Sequence, residues 1–337
     1  MHLIAGPCSA ESLRQLLETA RGLAGCGVSV FRAGLWKPRT HPGSFEGVGA
    51  EGLGWLRTVR EETGLKVATE VAGARHVEAC LAAGIDLLWI GARTTTSPFL
   101  VQEIADALAG ADVPVLVKNP VNPDPDLWAG AVERLQQAGV KHIGMVLRGF
   151  TTPESGPYRN APLWPLAVGM RVRFPDLPLL LDPSHLAGDA ALIPEICQKG
   201  LDLGLDGLMV EVHAAPERAL SDAAQQLSPA QFRALLAGLR IREKDTDEPD
   251  YREGIGTLRA QIDSVDEQLL SLLGTRMDLS REIGRYKREH GIAIVQPGRW
   301  EALLGRMIRE GRDRGLPESF VRDLFEVIHA ESVRRQE

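Results

Sequence analysis

Eight short apolar runs, each followed by a longer amphipathic stretch, recur from residue 2 to about residue 240 of this 337-residue chain. The runs are HLIAG, VSVFR, KVATE, DLLWIG, PVLVKN, HIGMVL, PLLLD and GLMVEV. Each has the length of a strand and is bounded by Gly, Pro or Asp. Helix-like sequence follows, such as ESLRQLLETARGLAGCG or ARHVEACLAAG. Eight β–α units over this length predict an α/β fold, a (β/α)8 TIM barrel, with an open doubly wound sheet as the alternative.

The stretch REKDTDEPDYRE, residues 242–253, breaks the alternation. It is nearly all charge and has no apolar period, which reads as a linker. The expected layout is a barrel over 1–241, a charged linker over 242–253, and a separate all-α domain over 254–337. In this last part no strand signal remains. Ile255, Leu258, Ile262, Val265, Leu269 and Leu272 step by threes and fours along a coiled-coil-like seam. A second helix follows QPG, with Trp300, Leu303, Leu304, Met307 and Ile308 on one face. A third begins near Pro317 and carries Val321, Leu324, Phe325 and Ile328. Three helices, one of them very long, make a poor core for a monomer, so oligomerisation is expected.

The net charge of -7 argues against a general nucleic-acid binder. Four cysteines without C-x-x-C spacing fit a reducing cytoplasm. No apolar run approaches the roughly 18 residues of a membrane span. The opening MHLIAGPCSAES has too short an apolar core for a lipoprotein signal and no preceding basic residue, so it reads as the first strand.

A barrel of this kind carries its site at the C-terminal rim of the strands. The rim residues are Cys8, Arg32, Glu70, Arg93, Lys118, Arg148, Asp182 with His185, and Glu211 with His213. They sort into two groups. Cys8, His185, Glu211 and the nearby Asp222 offer thiolate, imidazole and carboxylate ligands to one divalent metal, with Mn, Fe, Co and Zn all open. Arg32, Lys37, Arg39, Arg93, Lys118 and Arg148 are too many cations for one carboxylate and point to multiply anionic small molecules. Lys37 and Arg39 belong to FRAGLWKPRTHPGSFEG, whose prolines and glycines forbid a regular helix and make a stiff platform.

GPCSAES, FRAGLWKPRT, GART, DPSH and VEVH together resemble 3-deoxy-D-arabino-heptulosonate 7-phosphate (DAHP) synthase in its short form, related to the KDO8P synthases. The resemblance covers residues 2–240. It implies a metal-dependent transferase that condenses phosphoenolpyruvate with erythrose 4-phosphate and releases phosphate, the opening step of the shikimate pathway to aromatic amino acids. By position, Cys8, His185, Glu211 and Asp222 match the metal ligands. Arg32, Lys37, Arg93, Lys118 and Arg148 match the phosphoenolpyruvate pocket, and Arg39 and Thr40 the grip on the erythrose phosphate. Asp182, in DPSH, is expected at the substrate rim, Lys37 and the acidic residues are expected to manage protons, and Cys8 and His185 are counted with Lys37 as catalytic. KDO8P synthases are the rival reading, but they carry a KANRS-like loop where this chain has KPRT. VLVKNPV places Asn119 where many DAHP synthases have KRG.

In the tail the apolar seam meets Arg276 and then resumes at Leu279, Ile283 and Tyr286. A guanidinium on such a face calls for an anion. Lys287 lies about three turns on and points the same way. Arg299 opens the second helix, and Ser332 and Gln336 continue the third helix's buried spacing. LRAQIDSVDEQLLSLLGTRMDLSREIGRYK resembles the all-helical chorismate mutases, isomerases that convert chorismate to prephenate. By position Arg259, Arg276, Lys287, Arg299 and Gln336 match their substrate groups, with Lys287 and Gln336 flanking the breaking ether oxygen. Their acidic residue after the helix-2 arginine is Trp300 here, with Glu301 one place on, and an upstream Asp is Gln296.

Arg259 and Arg276 lie about 25 Å apart on one straight helix, too far to share one small molecule. If both serve a single site, the tail is an intertwined homodimer. The chain then reads as a bifunctional enzyme, the alternative being a DAHP synthase whose tail senses a ligand and dimerises. With strands beginning at residue 2, no separate N-terminal regulatory domain is expected, and allosteric feedback by prephenate is expected to act through the tail.

Overall fold

The structure, a computed structural model, describes residues 1–38, 43, 45–153, 156–243 and 246–337. It divides into two compact units, Met1–Lys244 and Asp245–Glu337.

In the first unit the eight apolar runs form eight strands: β1 (His2–Gly6), β2 (Val30–Arg32), β3 (Lys66–Val71), β4 (Leu87–Ile90), β5 (Val115–Lys118), β6 (Ile143–Leu147), β7 (Leu179–Leu181) and β8 (Gly207–Glu211). All neighbours pair in parallel, and β8 closes on β1 along its full length, so the open sheet is excluded. Helices between the strands bury one face each against the barrel. Leu16, Leu56, Ile104, Trp128 and Val132 are completely covered there. Local signals start these helices: Ser12 accepts from the Gln15 amide, Asp124 from the Leu127 amide, and Ser228 and Gln231 cap each other's backbone reciprocally.

Inside the barrel, one side chain from each strand fills a single layer: Ile4, Val30, Ala68, Trp89, Leu116, Val146, Leu180 and Met209. Side chains alternate along a strand, so residues two places further on face the same interior at its upper edge. Those positions are Gly6, Arg32, Glu70, Gly91, Lys118, Arg148, Asp182 and Glu211. The strand period alone thus sets the charged residues on an apolar floor.

The second unit holds three helices, Pro249–Glu289, Pro297–Asp313 and Glu318–Gln336. The first begins inside the charged stretch read as linker, with Pro249 in its first turn, where a missing amide costs nothing. Its packing departs from the expected seam. The face against the third helix runs through Arg276, Ser280, Gly284 and Lys287, and Ser280 and Gly284 are its buried residues. A Cβ on Gly284 would stand 2.6 Å from Gln336 Cα, so only glycine admits the third helix this closely. The apolar seam instead stays exposed: Leu258 56%, Ile262 59%, Val265 53%, Leu269 52% and Leu272 67%. Leu279, Ile283 and Tyr286 are exposed too, as is Leu324 of the third helix. Among the described residues no helix is long and apolar enough to cross a membrane.

Candidate active sites in the barrel and the tail

The rim of the barrel surrounds a polar cavity of about 270 Å³ lined by Lys37, Arg93, Lys118, Arg148, His185 and Asp222, among others. Arg32 is fully buried beneath it, its guanidinium carbon 4.8 Å above the Trp89 ring, while Lys118 Nζ lies 5.7 Å from the same ring. Trp89 donates its indole proton to Glu70 Oε2 at 3.1 Å. Arg32 Nη2 donates to the Cys8 carbonyl at 3.3 Å and stands 3.2 Å from Glu211 Oε1. That second approach lacks hydrogen-bond direction. Glu211 Oε1 therefore has no hydrogen-bond partner among the described residues, and neither do Arg32 Nε and Nη1. Buried donors left without partners are costly, and an arginine fork so placed is a receptor waiting for an anion.

The other cations are held by neighbours. Lys118 Nζ donates to Asp182 Oδ2 at 2.6 Å, and Arg148 Nη1 donates to Asn160 Oδ1 at 3.0 Å. Burial lowers Lys118, with Asp182 acting against it, and burial brings Arg148 down to about 10. Lys37 Nζ donates to Cys8 Sγ and to the Cys8 carbonyl, both at 3.0 Å. Burial opposes its charge, but Cys8, Glu211 and Glu70 outweigh that and raise its pKa. Arg93 is exposed at the mouth. Arg39 and Thr40 lie outside the described residues.

The four sulfur, nitrogen and oxygen donors stand at one side of this rim as two pairs. Cys8 Sγ donates to Asp222 Oδ2 at 3.2 Å, and His185 Nε2 lies 3.7 Å from Glu211 Oε1. No three His, Cys, Asp or Glu side chains among the described residues are drawn together as a ready cage. Instead Lys37 occupies the sulfur. Burial and the Glu211 charge push the Cys8 thiol up to about 12, so it keeps its proton. Burial lowers the His185 pKa, with Asp182 and Glu211 acting against it. Its Nδ1 is 2.8 Å from Asp182 Oδ2 but out of line for a hydrogen bond. Burial opposes the charge of Glu211 and Asp182, yet His185, Arg32 and the nearby lysines lower both, Asp182 well below its usual value; Asp222 is lowered by Arg159 and His185 against its own burial. An imidazole, the carboxylates of Glu211 and Asp222, and an unmatched buried Glu211 oxygen are a donor set that fits a divalent ion. His213 turns away from the cavity. Its Nδ1 accepts from the Ala215 amide, and its Nε2 lies 3.7 Å from Glu11.

In the tail a smaller polar cluster forms between the first and third helices. Arg276 donates to Ser332 Oγ, Lys287 donates to Gln336 Oε1 at 3.0 Å, and Gln336 Nε2 donates to the Ser332 carbonyl at 3.2 Å. Burial lowers the Arg276 pKa. Arg259, Arg299 and Glu301 are exposed and are not hydrogen-bonded into this cluster. Trp300 stacks on His329 of the third helix, centroids 4.1 Å apart.

Comparison with known proteins places both units. The DAHP synthetase I family matches residues 1–246, and chorismate mutase type II matches residues 258–337. A phospho-2-dehydro-3-deoxyheptonate aldolase of Thermotoga maritima is 34% identical over 239 residues, covering 71% of this chain and 68% of that protein. The chain belongs to the DAHP synthetase I family. The family is a metal-dependent transferase family, and here it is fused to a chorismate mutase domain, a family of isomerases. The substrate types that follow are phosphoenolpyruvate, erythrose 4-phosphate and chorismate.

A crystal structure of the Thermotoga maritima DAHP synthase superposes with TM-score 0.64 at 33% identity, covering 70% of this chain and 67% of that one. A 2-dehydro-3-deoxyphosphooctonate aldolase of Magnetococcus marinus is 30% identical over 270 residues, 72% of this chain and 88% of that protein. The tail is 43% identical over 77 residues to a 4-amino-4-deoxychorismate mutase of Streptomyces venezuelae, covering 23% of this chain and 75% of that protein.

Within this DAHP synthase barrel, sequence reading missed Trp89 as the aromatic floor. It also missed Arg159, Asn160 and Gln225, which bind the rim's charged groups to one another. Trp89 could have been found by carrying the strand period one step inward from Gly91. Arg159 and Asn160 sit in a loop and Gln225 ends a single 3-10 turn, all three without strand or motif signal.

Proposed function

We propose that the barrel condenses phosphoenolpyruvate with erythrose 4-phosphate on the rim cavity, and that the tail rearranges chorismate to prephenate as a homodimer. The observation that carries the first half is Arg32, buried with two unmatched nitrogens in a crown of further cations. Arg32, Lys118 and Arg148 suit the phosphate and carboxylate of phosphoenolpyruvate, with Arg93 at the mouth and Asp182 keeping Lys118 charged. Arg39 and Thr40 follow Lys37 in sequence and are assigned to the aldose phosphate. Cys8, His185, Glu211 and Asp222 would hold the divalent ion, whose chemistry is Lewis-acid polarisation of the aldehyde. Lys37 Nζ stands 3.0 Å from Cys8 Sγ and is assigned to proton management at the rim. Because the cations are fixed before substrate arrives, little reorganisation accompanies charge movement.

In the tail, Arg276, Lys287, Ser332 and Gln336 form one wall of a site. Arg259, Arg299 and Glu301 are left to complete it, Arg259 from the second copy. The exposed seam supports that copy's presence, since covering such side chains contributes about 1 kcal/mol each or more. Pericyclic rearrangement needs no nucleophile; fixed cations hold both carboxylates and the developing ether oxygen charge. Trp300 beside Arg299, together with the Streptomyces relative, favours testing 4-amino-4-deoxychorismate as a second substrate. Prephenate held by the tail is proposed to feed back on the barrel.

The test is phosphate release from phosphoenolpyruvate with erythrose 4-phosphate, abolished by chelator and restored by a divalent ion. Turnover with arabinose 5-phosphate alone would overturn the assignment in favour of the KDO8P type. Chorismate disappearance tests the tail, its absence leaving a sensing module. Unchanged barrel turnover under added prephenate would remove the feedback.

A further inference from the structure

Between β6 and β7 the chain crosses the rim and contributes two consecutive side chains, Arg159 and Asn160, whose contacts reach three of the four proposed metal ligands. Arg159 Nη1 donates to Asp222 Oδ1 at 2.9 Å, while the other oxygen of that carboxylate, Oδ2, accepts from Cys8 Sγ. The same nitrogen donates to Gln225 Oε1 at 2.8 Å, and Gln225 Nε2 donates to Glu211 Oε2 at 2.7 Å. Glu211 is thereby gripped on Oε2, the oxygen next to the one left unmatched. Asn160 Nδ2 donates to the His185 carbonyl at 2.7 Å, and its Oδ1 accepts from Arg148.

The backbone fixes this pair in place. The amides of Arg159 and Asn160 donate to Ala187 and Leu186, both at 3.1 Å, on the short helix Pro183–Ala187 that carries His185. That helix ends at Gly188 with φ +73, and a Cβ there would stand 2.5 Å from Arg159 Cβ, so the seat needs glycine twice over. Asp222 itself has φ +48, a left-handed conformation that a side-chain-bearing residue adopts only when its surroundings hold it. Arg159 is one of the groups holding it.

We propose that Arg159, supported by Asn160, is a positioning residue for the metal site. It turns Asp222 so that one oxygen faces Cys8, and through Gln225 it leaves one oxygen of Glu211 available. This rests on the ligand assignment proposed above. Arg159 coordinates nothing itself, and its removal loosens ion binding without deleting a donor, as loss of outer hydrogen-bond partners does at metal sites generally.

The experiment is titration of metal-free, full-length protein with Mn2+ alone, following free Mn2+ by its magnetic resonance signal without substrates. Arg159→Gln is expected to weaken binding about 10–100-fold at unchanged stoichiometry. Arg159→Lys should fall between it and the wild type, and the melting temperature of the metal-free protein should stay within about 2 °C. Asp222→Asn is the ligand control and should weaken binding. If Asp222→Asn binds less tightly but Arg159→Gln binds like the wild type, the positioning role is overturned and the ligand set stands. If the wild type takes up no Mn2+, or Asp222→Asn is indistinguishable from it, the ligand assignment falls and the positioning role with it. Should Arg159→Gln prove unstable, Arg159→Lys decides: intermediate affinity supports the role, and wild-type affinity contradicts it.

Discussion

In the barrel every strand has two neighbours, an inward layer of one side chain per strand fills the interior, and of the charged residues two places on, Arg32, Lys118, Arg148, Asp182 and Glu211 are buried and Glu70 is half-buried. In the tail the corresponding polar groups are only half enclosed. Arg276, Lys287, Ser332 and Gln336 meet between two helices of one chain, while Arg259, Arg299 and Glu301 are exposed and the apolar seam of the first helix is uncovered. The charged groups of the first site meet within one unit, and the second is proposed to be completed by another copy of the chain. The difference teaches that closure of a sheet encloses one site, whereas the proposed enclosure of the other depends on association.

The strongest way to break this contrast is Arg32→Ala. It removes a buried fork and strips Glu211 of its nearest guanidinium, a change of the class that costs about 3–5 kcal/mol. Phosphate release should fall roughly 1,000-fold, with chorismate consumption by the same preparation unchanged. A parallel fall of both activities would show that the two units are not independent.

Next in size is Leu269→Glu on the exposed seam. A carboxylate buried without a partner in each copy should raise the dimer dissociation constant about 100-fold or more. Sedimentation should then show monomers and chorismate turnover should drop, while the barrel reaction stays within about twofold. A variant that keeps both its mass and its mutase rate would remove the seam from the account.

A smaller effect separates the units by pH. Asp182, Glu211 and Asp222 all have folded pKa values below their usual ones. Groups of this kind contribute stability that is complete above their unfolded values near pH 4 and is lost as pH falls through the folded values. The barrel should therefore lose protection against hydrogen exchange steeply below about pH 4. In the tail, Glu331 is lowered mainly by its hydrogen bond to Arg335, but the pair is exposed and screened, so acid should loosen those helices little by this route. Equal acid sensitivity of both units would contradict the assignment.

What the sequence made legible follows the same division. All eight strands could be read from apolar runs ended by Gly, Pro or Asp, and the rim charges from their place at the strand ends. Arg159, Asn160 and Gln225 could not, because they lie outside the strands and meet the ligands only after the barrel closes. In the tail the seam was visible as a period, but its partner was not. The face that packs within the chain runs through Ser280 and Gly284, small residues with no hydrophobic signature, whereas the conspicuous apolar face is the one left open. The start of the long helix was hidden by charge, since Pro249 suits a first helical turn as well as a linker.

The most direct test is a mixing experiment with two full-length variants, Arg259→Ala and Arg276→Ala, each expected to lack chorismate turnover alone. If each site takes Arg259 from one chain and Arg276 from the other, a hybrid dimer regains one intact site of two. Random pairing then restores about a quarter of wild-type activity, with phosphate release by the barrel unaffected throughout. Failure of the mixture to recover any mutase activity, while hybrids demonstrably form, would contradict a site completed by a second copy.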